Sequence, residues 1–145
     1  MVSVRQDSVI VDSVMSRKPV LVPSDATVQE AARRMREHHV GSILIGSAVK
    51  PIGILTESDF VRLVAEGADP AMVVVREVMS SPVITIEATA QLEDAAERMR
   101  KRKVKRLVVV VGDEVRGVVT VRDIAYAMPE SGKRFLDAVR ARWDD

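Results

Sequence analysis

The chain contains an internal duplication, and this feature limits the architectures that it can adopt. Three sequence blocks recur at an offset of 64 positions. The blocks are 11–16 and 75–80, 28–40 and 92–104, and 53–59 and 117–123. A one-residue slip between Pro19 and Pro82 interrupts the offset, which we expect to be recovered by residue 91. Two copies are too few for an open-ended solenoid, so we expect the copies to pack on each other as one unit.

Both copies predict the same order of elements: strand, helix, strand, strand and helix. Short aliphatic runs favour strands, and apolar residues at 3.6-residue spacing favour a helix. The predicted strands are 20–22, 42–45 and 52–55 in the first copy and 83–86, 107–111 and 115–119 in the second. The predicted helices have apolar faces at Val28, Ala31, Ala32 and Met35 and at Leu92, Ala95, Ala96 and Met99, and closing helices begin near Thr56 and Thr120. Thr27 is the expected N-cap of the first helix, with Glu30 at the capping-box position. The fold class is therefore α/β, with two βαββα repeats.

The repeats divide the chain into three predicted segments. These are the first repeat with its N-terminal segment (1–67), the second repeat with its linker (68–128), and a C-terminal tail (129–145). The linker contains Gly67 and Pro70, which interrupt regular structure. The tail carries Phe135, Leu136, Val139 and Trp143 at helical spacing. We expect a C-terminal helix that packs on the body of the protein or on a partner subunit.

The composition excludes several classes of function. There is no cysteine, so disulfides, zinc–thiolate sites and cysteine nucleophiles are excluded. The longest apolar run, 107–111, is too short to cross a bilayer, and the N-terminus lacks a signal-peptide pattern, so we expect a cytoplasmic protein without a membrane segment. His38 and His39 lack further metal-ligating partners at suitable spacing, so no metal site is expected. No glycine-rich phosphate loop and no nucleophile–base pair is recognisable, so we expect no enzymatic activity.

A seven-residue pattern closes each repeat. It is Gly53-Ile-Leu-Thr56-Glu-Ser-Asp59 in the first copy and Gly117-Val-Val-Thr120-Val-Arg-Asp123 in the second. The threonine and aspartate fit a capping box, in which the aspartate accepts from backbone N–H groups. A helix N-terminus with a hydroxyl and a carboxylate also suits a ribose-phosphate, since the carboxylate accepts from a vicinal diol. The two interpretations are compatible with each other.

Together, these repeated blocks resemble a tandem pair of cystathionine β-synthase (CBS) domains, also called a Bateman module. The resemblance covers residues 11 to 128 and rests on Val-Met-Ser, the Ala-Ala-x-x-Met helix and the Thr-x-x-Asp pattern, each present twice in order. It implies two pseudo-symmetric clefts that bind an adenosine nucleotide (AMP, ADP, ATP or S-adenosylmethionine) and a disc-like homodimer. It also implies a sensor that regulates a separate partner protein.

The resemblance further implies that each cleft takes residues from both repeats. One cleft would hold the ribose through the aspartate of the first repeat, and the other through that of the second. The first set is Thr56, Asp59, Val83, Ile84, Thr85, Val104, Lys105 and Arg106, and the second set is Thr120, Asp123, Val20, Leu21, Val22, Val40, Gly41 and Ser42.

The two expected clefts differ in charge. The run 100–106 has six basic residues in seven, whereas the equivalent run 36–42 has one. Residues 100–103 are expected to be a solvated helix end whose cations complement the helix dipole. Lys105 and Arg106 begin a strand that the fold directs toward a cleft, where a charge-assisted bond to phosphate is stronger than a neutral one. We therefore expect the Asp59 cleft to bind phosphate better.

Two alternative functions remain open at the level of sequence. The basic run 100–106 favours nucleic-acid binding, but the net charge of +1, the single Tyr and the two Phe argue against it. A structural dimerisation module with vestigial clefts is the other alternative. Ligand-dependent thermal stabilisation distinguishes all three functions.

Overall fold

The computed structural model describes residues 9–17, 19–128, 134–135 and 137–139. Two compact units are present. The first-repeat unit holds residues 18–83 and 113–115, and the second-repeat unit holds 1–17, 84–112 and 116–145. Each unit is built on a three-stranded sheet that is covered by helices, so the predicted α/β fold class is confirmed.

The first-repeat unit contains three strands and three helices. In chain order they are β1 (Leu21–Val22), α1 (Val28–His38), β2 (Ser42–Gly46), β3 (Pro51–Thr56), α2 (Glu57–Ala65) and α3 (Val75–Val78). Strand β2 is central; β1 is parallel to it and β3 is antiparallel to it. Helix α1 buries Val28, Ala31 and Met35 against this sheet, as their spacing predicts, but Ala32 of the predicted face is exposed because it lies at the edge of the helix face.

The second-repeat unit repeats this order. Its elements are β4 (Thr85–Glu87), α4 (Leu92–Arg102), β5 (Arg106–Val111), β6 (Glu114–Thr120, of which the first two residues are grouped with the other unit) and α5 (Val121–Ala127). The strand order is β4-β5-β6, with β4 parallel to β5. Leu92, Ala95 and Met99 form the buried face of α4, as predicted.

Backbone hydrogen bonds recur at the same offset of 64 residues as the sequence blocks. The N–H of Leu44 donates to Val20 O, and the N–H of Val108 donates to Ile84 O. Val20 is therefore equivalent to Ile84. The offset of 64 residues thus resumes at residue 84, earlier than the limit of residue 91 expected from the sequence. The strand predicted at 83–86 is Thr85–Glu87 in the structure. Pro82 has no N–H to donate to a ladder, so strand pairing begins only beyond it.

The segments that precede the repeats are exchanged between the units. Residues 11–16 precede the first repeat, yet Val11 N–H donates to Ala90 O and Ser16 pairs with Val118. Residues 75–80 precede the second repeat, yet Val75 N–H donates to Ala26 O. The compact units therefore do not coincide with the order of the repeats along the chain, and the segment boundaries 1–67 and 68–128 stay predictions.

The exchanged segments explain the glycine of each seven-residue pattern. A Cβ at Gly53 would overlap the side chain of Met79, and a Cβ at Gly117 would overlap Ser16 O and crowd Met15. Only a glycine lets the segment lie this close to the strand. The two methionines therefore pack in the cores, in agreement with their repeated position.

The tail contributes to the second-repeat unit. Residues 134–135 and 137–139 are helical, Val139 is 2% exposed, and Phe135 packs against the same core. This confirms the predicted packing on the body for these two side chains. Leu136 and Trp143 of the predicted helical face lie outside the described residues.

Candidate ligand-binding site

The first clamp, which we define as Thr56 and Asp59, lies where β3 feeds α2. Strand β3 ends at Thr56. The backbone of Thr56 is extended, and this residue is the N-cap of α2. Thr56 N–H donates to Asp59 Oδ2 at 2.8 Å, and the Thr56 hydroxyl lies 3.3 Å from the same oxygen. The predicted capping box is therefore present, and it fixes the direction of the Asp59 carboxylate.

The second clamp, Thr120 and Asp123, occupies the equivalent place between β6 and α5. Thr120 N–H donates to Asp123 Oδ2 at 2.9 Å, and Asp123 N–H donates to Thr120 Oγ1 at 3.2 Å. This reciprocal pair fixes both side chains. The structure thus brings together the two residues of each clamp, as the sequence pattern predicts.

The two clamps differ at the second oxygen of the aspartate. Arg62 Nη2 lies 3.4 Å from Asp59 Oδ1. The equivalent residue in the second repeat is Tyr126, which is 77% exposed. The capping bond of Asp123 uses Oδ2, and Tyr126 has no cation that could pair with Oδ1. Residues 62 and 126 each follow a clamp aspartate by three positions, so this difference is visible in the sequence. The seven-residue pattern ends at the aspartate and therefore does not include it.

The first strands of the repeats supply residues to both expected ligand-binding sets. Val20 and Val22 are 7% and 2% exposed and belong to the first core, whereas Leu21 on the other face is half-buried. In the second repeat, Ile84 packs against the core, and Val83 and Thr85 are half-buried. The valine side chains at 20 and 22 are thus committed to the core, so any ligand contact there would use the backbone.

The residues that begin the central strands lie beside the clamps of their own repeats. Glu57 N–H donates to Gly41 O, and Val121 N–H donates to Lys105 O. Ser42 is buried and is paired in register with Thr56. The equivalent of Ser42 is Arg106, which is half-buried, next to an exposed Lys105. Val40 and Val104 pack against their respective cores.

The basic run divides at the end of α4, as predicted. Arg100, Lys101 and Arg102 form the exposed last turn, Arg100 pairs with Glu97, and Lys103 is the C-cap. Cations at this end complement the helix dipole. Lys103 has the left-handed φ of 55°, matched by 54° at His39, which caps α1. His39 is thus a helix cap, and the described residues contain no cluster of three or more metal-ligating side chains.

The structure contains two surface clefts that no pattern in the sequence predicted. A cleft of about 480 Å³ lies at the end of α1 and includes Val40 and Gly41 of the predicted set. A second, of about 520 Å³, lies along α4 and carries charges of both signs. Their linings are Ala32, Met35, Arg36, His39, Val40, Gly41 and Glu57, and Ile86, Glu87, Ala90, Asp94, Glu97, Arg98, Lys101 and Arg102. Neither lining includes a clamp residue. No described helix has the length and apolar character that crossing a membrane requires.

Comparison with known proteins identifies the family. The CBS domain model matches residues 11–66 and again 75–130. An uncharacterized protein of Methanopyrus kandleri is 37% identical over 125 residues, which cover 84% of this chain and 64% of that protein. The chain thus spans less than two thirds of this relative's length.

Two solved structures with bound ligands are also similar. One is a CBS domain protein from Pyrobaculum aerophilum complexed with AMP, with a TM-score of 0.72, 29% identity, and coverage of 79% of this chain and 89% of that one. The other is a CBS domain pair in complex with 5′-methylthioadenosine and S-adenosyl-L-methionine, with a TM-score of 0.75, 25% identity, and coverage of 86% and 98%. The match of the family model over both repeats shows that the chain belongs to the CBS domain family and contains two copies of the domain.

Proposed function

We propose that this protein is a non-catalytic sensor that binds an adenosine nucleotide through its clamps and regulates a separate partner protein. AMP is the favoured ligand, with ADP, ATP and S-adenosylmethionine as related candidates. The observation that carries the proposal is the geometry of the clamps. Each capping box uses one oxygen of an aspartate, Oδ2, and leaves the other oxygen outside the capping bond. Two structures of similar proteins hold AMP or S-adenosylmethionine, which supports the same ligand class here.

The chemistry of a clamp matches a ribose. A vicinal diol offers two O–H donors, and a carboxylate whose orientation is fixed accepts them without losing side-chain freedom on binding. The clamp aspartate is already ordered in both repeats by the N–H of its threonine. Binding therefore avoids part of the ordering cost that a free surface aspartate would carry.

The inequality of the two sites stays a prediction from the family resemblance. On that basis, Asp59 acts together with Lys105 and Arg106, and Asp123 acts with Val20, Leu21, Val22, Gly41 and Ser42. The cations favour a phosphate-bearing ligand at the Asp59 site. We therefore expect one dominant site for AMP.

Isothermal titration with AMP tests this assignment. Asp59→Ala and Arg106→Ala should each weaken the dominant site by tenfold or more, because each removes a charged hydrogen bond. Asp123→Ala should leave the dominant site unchanged. Arg33→Ala is a matched control, since Arg33 is exposed on α1 and its loss changes the net charge by the same amount as Arg106→Ala. Loss of the dominant site in Asp123→Ala but not in Asp59→Ala would contradict the assignment.

Thermal denaturation separates the sensor from the alternative functions. A ligand at 100 times its Kd should add about 2.7 kcal/mol to the free energy of unfolding. Stabilisation by AMP or S-adenosylmethionine favours the sensor, and stabilisation only by polyanions, with steep salt dependence, favours nucleic-acid binding. Absence of both effects favours a structural module. Light scattering of the same samples tests the proposed homodimer.

A further inference from the structure

We propose that Arg62 competes with the ligand for the Asp59 carboxylate, so that residue 62 regulates the affinity of the first clamp. This inference rests on the proposed ribose-binding function. The guanidinium of Arg62 lies 3.4 Å from Asp59 Oδ1, an oxygen that a ribose diol would use, whereas the equivalent position of α5 holds the uncharged Tyr126. The first clamp is therefore contacted by a side chain of its own helix.

Arg62 is positioned by the helical spacing of α2. Its Nη2 lies 3.4 Å from Asp59 Oδ1, three residues earlier, and its Nη1 lies 3.7 Å from Glu66 Oε1, four residues later. Residues three and four apart share one face of a helix, so Asp59 and Glu66 lie on the face of α2 that carries Arg62. Both carboxylates therefore attract its guanidinium. The Asp59 side chain is only 18% exposed, so little of its carboxylate is open to solvent.

With Thr56 N–H and Arg62 in place, both oxygens of Asp59 have hydrogen-bonding or ionic partners. Because a carboxylate oxygen has two lone pairs, a diol at Oδ1 either shares this oxygen with the guanidinium or displaces it toward Glu66 or into water. The Arg62 side chain is 49% exposed, and pairs between exposed charges are weak. The competition should therefore reduce ribose affinity by about two- to fivefold rather than abolish binding.

The second repeat supplies the natural comparison. Tyr126 occupies the equivalent position, is 77% exposed and carries no charge that could pair with Asp123. Within this clamp, the Asp123 carboxylate accepts through Oδ2. Helix α5 presents no charge at the position that Arg62 occupies on α2. The two clamps thus differ at this helix position.

The experiment isolates each clamp and uses free adenosine, which has a ribose but no phosphate. In an Asp123→Ala background, Arg62→Ala should tighten adenosine binding by about two- to fivefold. In an Asp59→Ala background, Tyr126→Arg should weaken adenosine binding at the second clamp by a similar factor. Arg33→Ala in the Asp123→Ala background is the control for net charge. Arg62→Ala in an Asp59→Ala background should have no effect.

The outcomes separate this inference from the proposed function. If Asp123→Ala binds adenosine in an Asp59-dependent manner but Arg62→Ala leaves the affinity unchanged or weaker, the competition is disproved and the sensor function stands. If Arg62→Ala and Arg33→Ala tighten binding equally, the effect is one of net charge and the competition is again disproved. If neither adenosine nor AMP binds the unmodified protein or either aspartate variant, the proposed function fails and this inference fails with it.

Discussion

The two repeats share the backbone hydrogen bond that joins each clamp to its central strand, but they differ in the side chains around the clamps. Glu57 N–H donates to Gly41 O in the first repeat, and Val121 N–H donates to Lys105 O in the second. The left-handed caps at His39 and Lys103 differ by one degree in φ. The side chains beside the clamps, however, are Ser42 and Arg62 in one repeat and Arg106 and Tyr126 in the other. The comparison teaches that topology preserves the position of a site, whereas its charge changes with single residues.

The largest expected difference between the repeats concerns the glycines of the seven-residue patterns. Gly117→Ala should lower the free energy of unfolding by about 3 kcal/mol, because the new Cβ meets the backbone oxygen of Ser16, which cannot move alone. Gly53→Ala should cost about 2 kcal/mol, because the new Cβ meets the Met79 side chain from Cβ to Sδ, which can move more readily than a backbone oxygen. Urea denaturation measures both. Equal losses would contradict this difference, because they would show that Ser16 and Met79 move equally easily to admit a Cβ.

The tail offers a second comparison, because it lies outside the three duplicated blocks of the sequence. Val139→Ala should lower the free energy of unfolding by about 2 kcal/mol, since it removes buried methyl groups and leaves a cavity. Ala138→Ser, at an exposed neighbour, is the control and should cost less than about 0.5 kcal/mol. A loss as small as that of the control would show that the tail is not needed by the second core.

The first helices of the repeats begin with different caps. Thr27 Oγ1 accepts from Glu30 N–H at 3.1 Å, whereas the equivalent Asp94 N–H donates to the backbone oxygen of Gln91 at 3.0 Å. Thr27→Ala should therefore cost about 1 kcal/mol. Gln29→Ala, at an exposed neighbour in the same helix, is the control and should cost less than about 0.5 kcal/mol. Thermal unfolding of the two variants checks the order, and a larger loss for Gln29→Ala would reverse it.

The smallest expected effect concerns the C-caps, where the repeats should behave alike. His39 and Lys103 both have left-handed backbones that are costly for residues with a Cβ. His39→Gly and Lys103→Gly should each raise the free energy of unfolding by about 0.5–1 kcal/mol. Chemical denaturation measures the gain. A gain in only one variant would show that the other side chain makes contacts that offset its backbone cost.

Much of the fold was predictable because its signals are local. The apolar spacing of Val28, Ala31 and Met35 predicts the buried face of α1, and Thr27 with Glu30 predicts its cap. The Thr-x-x-Asp spacing predicts both capping boxes, because a residue three positions into a helix faces its N-cap. These interactions join residues at most four positions apart, so the sequence contains all the information that they need.

The start of β4 was less predictable, because a short strand depends on its partner. Apolar character alone extends the run to Val83, but pairing with β5 begins only at Thr85. The two surface clefts also depend on how separate elements pack, and their linings combine residues from helices and strands. Periodicity along the chain does not contain that information.

By itself, the sequence determined that there are two α/β repeats, where their helices begin and that each has a threonine–aspartate clamp. Only the tertiary structure decided that each leading segment packs with the other repeat, which is why Gly53 and Gly117 must lack a side chain. It also decided that Val20 and Val22 belong to the core and that Arg62 reaches Asp59. Local periodicity fixes helices and caps through neighbours in the chain, whereas close approach and ion pairing depend on which atoms the folded backbone brings together.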